Sequence, residues 1–358
     1  ESYEFPDDAY KTDLITDRAV EFLRDAVGGP KPFFLYVSHY APHWPLHAKS
    51  DDIAKYRDVY ARSGWDILRT RRYRRLIQSK LIKENWPLAP RDRRVPPWQD
   101  AEHRAWEAER MAVYAAQIDC LDQSIGRILD VIGQAGVDQN TLVLLLSDNG
   151  PSDQVWSRPL DRPGSPWRLD GTPTEVGNSP NIMPGGPDTF VTYGPPWANV
   201  SNTPFRQYKG TCHEGGIATP LIAHWPDMIR QGGRITHQVG HIIDVTATCL
   251  DVACVDYPIC FRGRDVLPLE GKSLLPIFQG IQRDGHDTLC WNVHGSRAVR
   301  MGPWKLVALR GGPWELYNLE SDRTETHDLA SRHPDRVQTM TTAYETWERR
   351  CGVTSPGS

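Results

Sequence analysis

Leu142 to Leu146 is an uninterrupted apolar run that ends at Ser147-Asp148-Asn149-Gly150. Ahead of it, Met111, Tyr114, Ile118, Leu121, Ile125, Ile128 and Ile132 recur at helical spacing, and Gly133 and Gly136 close the stripe. An amphipathic helix followed at once by a short, non-alternating apolar run predicts a strand of a parallel sheet covered on both faces. The pattern occurs twice. Ile15, Ala19, Phe22, Leu23 and Val27 form an earlier stripe, Gly28-Gly29-Pro30 stops it, and Phe33 to Val37 is the strand that follows. Two such units imply an α/β chain built on βαβ connections. Leu221 to His224 reads as a further strand and Asp244 to Val255 as a short helix.

After about Gly280 the texture changes to short alternating runs, Leu289 to Val293, Ala298 to Arg300, Lys305 to Leu309 and Trp314 to Leu319, which predict an antiparallel sheet. Pro334 opens a closing helix with Val337, Met340, Tyr344 and Trp347 on one side. The expected organisation is a large α/β domain over residues 1–283 and a small α+β domain over 284–358, in line with a length of 358 residues.

Composition narrows the function. Lys+Arg 41 against Asp+Glu 45 leaves a net charge of −4, so the whole-molecule field gives no reason to expect a nucleic-acid partner. The five-residue run at Leu142 falls far short of the roughly 18 apolar residues of a spanning helix. Twenty-nine Gly and 29 Pro point to long ordered loops, where binding groups concentrate. Seven cysteines are odd in number and form no CxxC pair, which argues against a zinc or dithiol site. The chain opens on Glu1-Ser2-Tyr3 with neither an initiator Met nor a signal segment, so processing or truncation is expected to have removed the true start.

Three stretches carry candidate chemistry. Asp148 and Asn149 stand at the carboxyl end of an expected central strand, where open α/β sheets place ligands, and both offer hard oxygen donors suited to Ca²⁺ or Mg²⁺. Ser-Asp-Asn-Gly-Pro is equally good turn chemistry. His39, His43 and His47 are spaced four apart like ligands on a helix, but Pro42 and Pro45 forbid a regular helix there. Each is then a loop histidine, either packed or available as a proton donor or anion ligand. Lys209, followed by Gly210, can bring an ammonium and a close-approaching backbone to a small anion, or stand solvated. The dense basic stretch Arg62, Arg69, Arg71, Arg72, Arg74 and Arg75 could meet an anionic polymer; a solvated face bridging to nearby acids is the preferred reading.

In order along the chain, Pro32-Phe33-Phe34-Leu35-Tyr36 to Ala41-Pro42-His43-Trp44-Pro45, Asp148-Asn149-Gly150, and Tyr208-Lys209-Gly210 to His213-Glu214-Gly215-Gly216 resemble the type I sulfatases. Asn202-Thr203-Pro204-Phe205-Arg206, His241 to Asp244, Gly271 to Pro276 and Trp314-Glu315-Leu316-Tyr317 extend the resemblance, in the manner of the bacterial arylsulfatases. It implies an alkaline-phosphatase-like fold, a mixed sheet between helices with a small C-terminal α+β part. It further implies that Asp148 and Asn149 hold Ca²⁺, with Mg²⁺ second, and that His43 and Lys209 contact the sulfate group, polarise the ester and assist the leaving oxygen. Trp44, His47 and the loop Asp153 to Val200 would shape the leaving-group pocket. A periplasmic or secreted location follows from the resemblance alone.

The formylglycine nucleophile of that family comes from a Cys/Ser-x-Pro/Ala-x-Arg motif, and no such motif precedes Ile15. Cys260-Phe261-Arg262-Gly263-Arg264 lacks the Pro or Ala and lies after the other motifs, so it is rejected as the nucleophile. The expectation is therefore the C-terminal portion of a sulfatase acting on aryl or carbohydrate sulfates, inactive alone, with half of the metal shell and half of the anion pocket. A phosphonate or phosphate ester hydrolase of the same superfamily, or a non-catalytic binder of sulfated glycans, are the alternatives. Nothing in the sequence gives an oligomeric state.

Overall fold

A computed structural model describes Pro6, residues 9–156 and residues 171–353. The helices are α1 (Lys11–Val27), α2 (Ser50–Ala54), α3 (Arg57–Gln78), α4 (Arg104–Gln134), α5 (Gly194–Ser201), α6 (Glu214–Ile217), α7 (Ile243–Val252), α8 (Leu275–Phe278) and α9 (Pro334–Arg350). The strands are β1 (Val143–Leu146), β2 (Glu175–Val176), β3 (Thr189–Phe190), β4 (Leu221–His224), β5 (Cys260–Phe261), β6 (Arg264–Asp265), β7 (Leu289–Val293), β8 (Ser296–Met301), β9 (Trp304–Ala308) and β10 (Glu315–Asn318). Two compact units result, one from Glu1–Asp138, Asn149–Lys209 and His213–Ala218, the other from Gln139–Asp148, Gly210–Cys212 and Thr219–Ser358.

In the first unit α4 is the spine, packed by α1, α2 and α3. Its buried face takes in Met111 and Ile132 of the expected stripe but is centred on smaller residues. Ala112, Val113, Ala116, Gln117 and Cys120 are buried, while Ile118 is 44% exposed. Small residues let neighbouring helices approach closely, so Ala, Ser and Cys are buried along the helix beside Trp106, Met111 and Ile132. The core joins Leu46, Ile53, Trp65, Val95, Met111, Tyr193, Trp197 and Tyr208. Arg69 corrects the solvated-face reading of the basic stretch, for it is buried and donates to the carbonyls of Ala89 (2.7 Å) and Asn199 (3.2 Å).

Residues 33–40 alternate between half-buried Phe33, Leu35, Val37 and His39 and exposed Phe34, Tyr36, Ser38 and Tyr40, which is the period of a strand with one open face. Among the described residues the segment has no ladder partner, so the expected doubly covered strand is not formed. An apolar run reveals the propensity to extend, while its neighbours decide whether it pairs.

In the second unit β1 pairs with β4 antiparallel, Leu144 opposite Ala223, not parallel as the βαβ reading has it. Four apolar residues fix burial but not strand direction. The C-terminal sheet runs β10-β9-β8-β7, antiparallel throughout, close to the limits the alternating runs predict. His294 and Gly295 both take positive φ (51° and 84°) in the two-residue β7–β8 turn, the geometry that matches strand twist. Met340 and Tyr344 of α9 pack on Val299, Leu306 and Leu316. Lys305 and Glu325 form a fully buried ion pair at 2.9 Å.

Candidate active site

His43 sits in a proline-bounded turn closed by its own N–H donating to the Tyr40 carbonyl at 3.0 Å. Gln117 of α4, itself buried, donates to the carbonyls of His43 (3.3 Å) and Pro45 (3.2 Å), so the spine helix clamps the turn. Nδ1 of His43 donates to the Trp44 carbonyl at 2.6 Å. With a carbonyl as its partner, Nδ1 carries the proton, which fixes the tautomer of the ring. The imidazole packs on the Trp44 ring at 4.3 Å and Tyr40 at 5.1 Å.

Trp44 in turn meets Trp156 (5.2 Å) and Phe190 (5.3 Å) edge-on, forming an aromatic wall beside the His43 turn. His47 is held differently. Its Nε2 donates to the Thr189 carbonyl at 2.5 Å, and Gly185 brackets it by bonds to Leu46 and Ala48. Burial pushes its pKa below the usual histidine value despite the Thr189 bond and the nearby Asp188 charge. His47 therefore presents a neutral ring bound to backbone. Of the loop 153–200, residues 157–170 lie outside the described residues.

The Lys209 turn is built around glycine. Gln207 and Gly210 take positive φ (61° and 85°) on either side of it, and Lys209 N–H donates to the Pro151 carbonyl at 3.0 Å. Gly150 N–H donates to the Gly216 carbonyl at 3.0 Å. These two bonds tie Asn149-Gly150-Pro151 to Lys209 and to Gly216, about sixty residues further along the chain, in one knot of backbone within the first unit. A Cβ on Gly150 would overlap the Gly215 carbonyl, and one on Gly215 would overlap the carbonyls of Arg206 and Gln207. Tyr208 anchors the turn from below, donating to Asp92 at 3.0 Å. Lys209 itself is half-buried, and among the described residues its ammonium has no hydrogen-bond or ion-pair partner.

His213, inside the quoted motif, has no role in the sequence reading; it is fully buried and precedes α6, with Nε2 3.4 Å from the Arg206 guanidinium. The signal for it is the Gly-Gly pair after Glu214, which marks a place where backbone and side chains crowd.

Asp148 lies two residues beyond β1 and is exposed; Asn149 donates to the Gly150 carbonyl at 3.1 Å. Carboxylate and amide oxygens fit a hard divalent ion in kind. They do not fit in number, since Ca²⁺ takes about six to eight oxygens, and no group of three or more His, Cys, Asp or Glu among the described residues could hold a metal. Cys260 is exposed on the β5–β6 hairpin, away from these motifs in sequence, and all seven thiols are free.

The family profile described as Sulfatase matches residues 1–255. The chain belongs to the sulfatase family. A second profile, N-sulphoglucosamine sulphohydrolase, C-terminal, matches residues 207–346 of this sulfatase chain. An uncharacterized sulfatase of Schizosaccharomyces pombe is 32% identical over 357 residues, covering 96% of this chain and 62% of that protein. The arylsulfatase of Klebsiella aerogenes is 31% identical over 283 residues, 77% of this chain and 58% of its own length. Among solved structures, BT4656 in complex with its substrate D-glucosamine-2-N,6-O-disulfate superposes with a TM-score of 0.60 at 15% identity, over 98% of this chain and 72% of that one. The fold is thus alkaline-phosphatase-like, as the motif resemblance implies. The chain spans about three-fifths of the length of the curated relatives it matches. Among the described residues no helix is long and apolar enough to cross a membrane.

Proposed function

We propose that the complete protein hydrolyses sulfuric esters of aryl alcohols or carbohydrates, with His43 and Lys209 as catalytic, substrate-contacting groups. The observation that carries this reading is the Lys209 turn: an ammonium without a partner among the described residues, on a backbone knot that also holds Asn149. Such a donor lowers the barrier by lying where negative charge grows on the sulfuryl oxygens and the departing oxygen. His43, with Nδ1 engaged by Trp44, delivers a proton through Nε2 to the leaving alcohol. Trp44 and His47 line the leaving-group side in this reading, the indole as an apolar wall and the imidazole as a backbone-tied spacer.

Sulfatases in general employ a formylglycine and a divalent metal, the one supplying a nucleophile and the other charge that polarises the sulfuryl group. In the complete protein Asp148 and Asn149 would be two oxygen ligands of that ion, with Ca²⁺ preferred over Mg²⁺ because Ca²⁺ accepts neutral amide oxygens in a flexible shell, whereas Mg²⁺ keeps its waters. The compartment in this reading is periplasmic or extracellular, as is frequent in the family.

Sulfate release from 4-nitrophenyl sulfate and from a sulfated monosaccharide by the complete protein tests the activity. Release from neither, with hydrolysis of a phosphonate monoester instead, would replace it by phosphoryl chemistry. Metal analysis tests the ligands: Asp148→Ala should strip the bound divalent ion while leaving the protein folded, and unchanged content would make Asp148-Asn149-Gly150 a turn only.

A further inference from the structure

Residues 71–83 contain six Lys and Arg and no acid, in a chain whose net charge is −4. The structure separates this stretch from the other basic groups nearby. Arg62 is paired with Asp58 at 2.8 Å, Arg91 with Asp66 at 2.8 Å, and Arg69 is buried on carbonyls. Arg71, Arg74 and Arg75 are exposed, and their i, i+3, i+4 spacing sets them on one face of α3. Arg71 donates to Ser63 Oγ at 3.1 Å, while Arg74 and Arg75 have no ion pair among the described residues. Lys80, at positive φ just beyond the helix, and Lys83 are exposed as well. Like charges at this spacing repel one another, so the face is at its most favourable with anions laid along it.

The opposite side of α3 fixes what kind of polyanion fits. Trp65 is buried, Trp86 is buried, and Tyr73 is half-buried with its hydroxyl donating to the Trp86 carbonyl at 2.6 Å. No exposed aromatic ring therefore stands within the strip to stack a base, which single-stranded nucleic-acid sites use. Nor does the helix present a continuous apolar face to a lipid surface: Trp65, Tyr60 and Leu68 are spent on the core around Trp197, and only Val59 and Ile67 of its large apolar residues are exposed. What remains is a row of guanidinium forks spanning about 6 Å of helix axis from Arg71 to Arg75, suited to bidentate contact with sulfate groups.

We propose that the Arg71–Arg74–Arg75 face of α3 binds a polysulfated carbohydrate chain, as a contact separate from His43 and Lys209. The inference rests on the sulfatase reading for its choice of sulfate over other anions. The complete protein should therefore be compared with the triple variant Arg71→Gln, Arg74→Gln, Arg75→Gln and with the single Arg74→Gln on immobilised dextran sulfate across a salt series. The triple variant is expected to bind at least tenfold more weakly, with the slope of log affinity against log salt reduced by about two. The single variant should fall between. Turnover of 4-nitrophenyl sulfate should be the same in all three, since a small ester does not reach the strip. Equal binding by parent and triple variant, or no binding by the parent, overturns the proposal whatever the turnover. Equal loss of affinity for a single-stranded DNA oligonucleotide of matched charge would overturn the choice of carbohydrate. Absence of turnover in the parent, with binding and its loss intact, would instead strike the sulfatase reading and leave the polyanion face standing.

Discussion

Replacing Lys209 or His43 by Ala in the complete protein should lower aryl sulfate turnover by about two to four orders of magnitude, the range for losing a charge-stabilising or proton-donating group. Wild-type turnover by either variant would remove that residue from the site. The glycines of the same region divide sharply. Gly215→Ala forces a Cβ against the carbonyls of Arg206 and Gln207, so it should displace the Lys209 turn and cost about 1–3 kcal/mol of stability. Gly126→Ala, in α4 with nothing within 4 Å of a new Cβ, should instead stabilise by about 0.5–1 kcal/mol through helix propensity. Denaturant midpoints of the two variants against the parent check both signs. The turns that carry Lys209 and His43 were legible in the sequence because Gly and Pro punctuate them, while the roles proposed for the two side chains come from the motif resemblance. Gln117, which clamps the His43 turn from α4, was not, because a polar residue among apolar helix positions looks like surface until its acceptors are seen.

Elements whose pattern is self-contained were the legible ones. The β7–β10 strands carry their alternation and their turns within thirty residues, and α9 shows its apolar face at helical spacing. Residues 33–37 and 143–146 were legible as extended chain but not in their pairing, since a partner strand contributes the missing information. The consequence is a surface that a free chain must manage. Phe34 and Tyr36 are 77% and 78% exposed on a segment without a ladder partner among the described residues, and Ile222 of β4 is 59% exposed. Bare extended backbone beside exposed aromatics is a template for strand addition. The chain of residues 1–358 expressed by itself should associate through this segment and should not turn over sulfate esters. Phe34→Lys with Tyr36→Lys should raise the monomer fraction in light scattering. Multiple turnovers by the isolated chain would reopen Cys260 as a nucleophile.

Across the whole molecule, burial acts on histidine in the same sense at three separate places. His39 and His47 in the first unit and His241 in the second all have their pKa pushed below the ordinary histidine value by loss of water. The folded protein therefore holds these rings neutral where the unfolded chain would protonate them. Their stability contribution is complete above about pH 6.5, the unfolded value, and is lost progressively as pH falls below it. Carboxylates act later. Burial works to raise Asp92 and Asp244, but hydrogen bonds from Arg94 and Tyr208 to the first, and from the Lys272 N–H, Arg283 and His286 to the second, outweigh it and hold both below the usual carboxylate range. Their share persists until the pH drops under about 4, then disappears as they protonate. Thermal midpoints of the complete protein should be flat from pH 8 to 7, decline from about 6.5 to 5, and fall more steeply below 4. His47→Gln, whose amide can still donate to the Thr189 carbonyl, should flatten the middle stage by removing one of the rings that resist protonation. An unchanged slope in His47→Gln would show that this imidazole takes its proton as readily in the fold as in the unfolded chain.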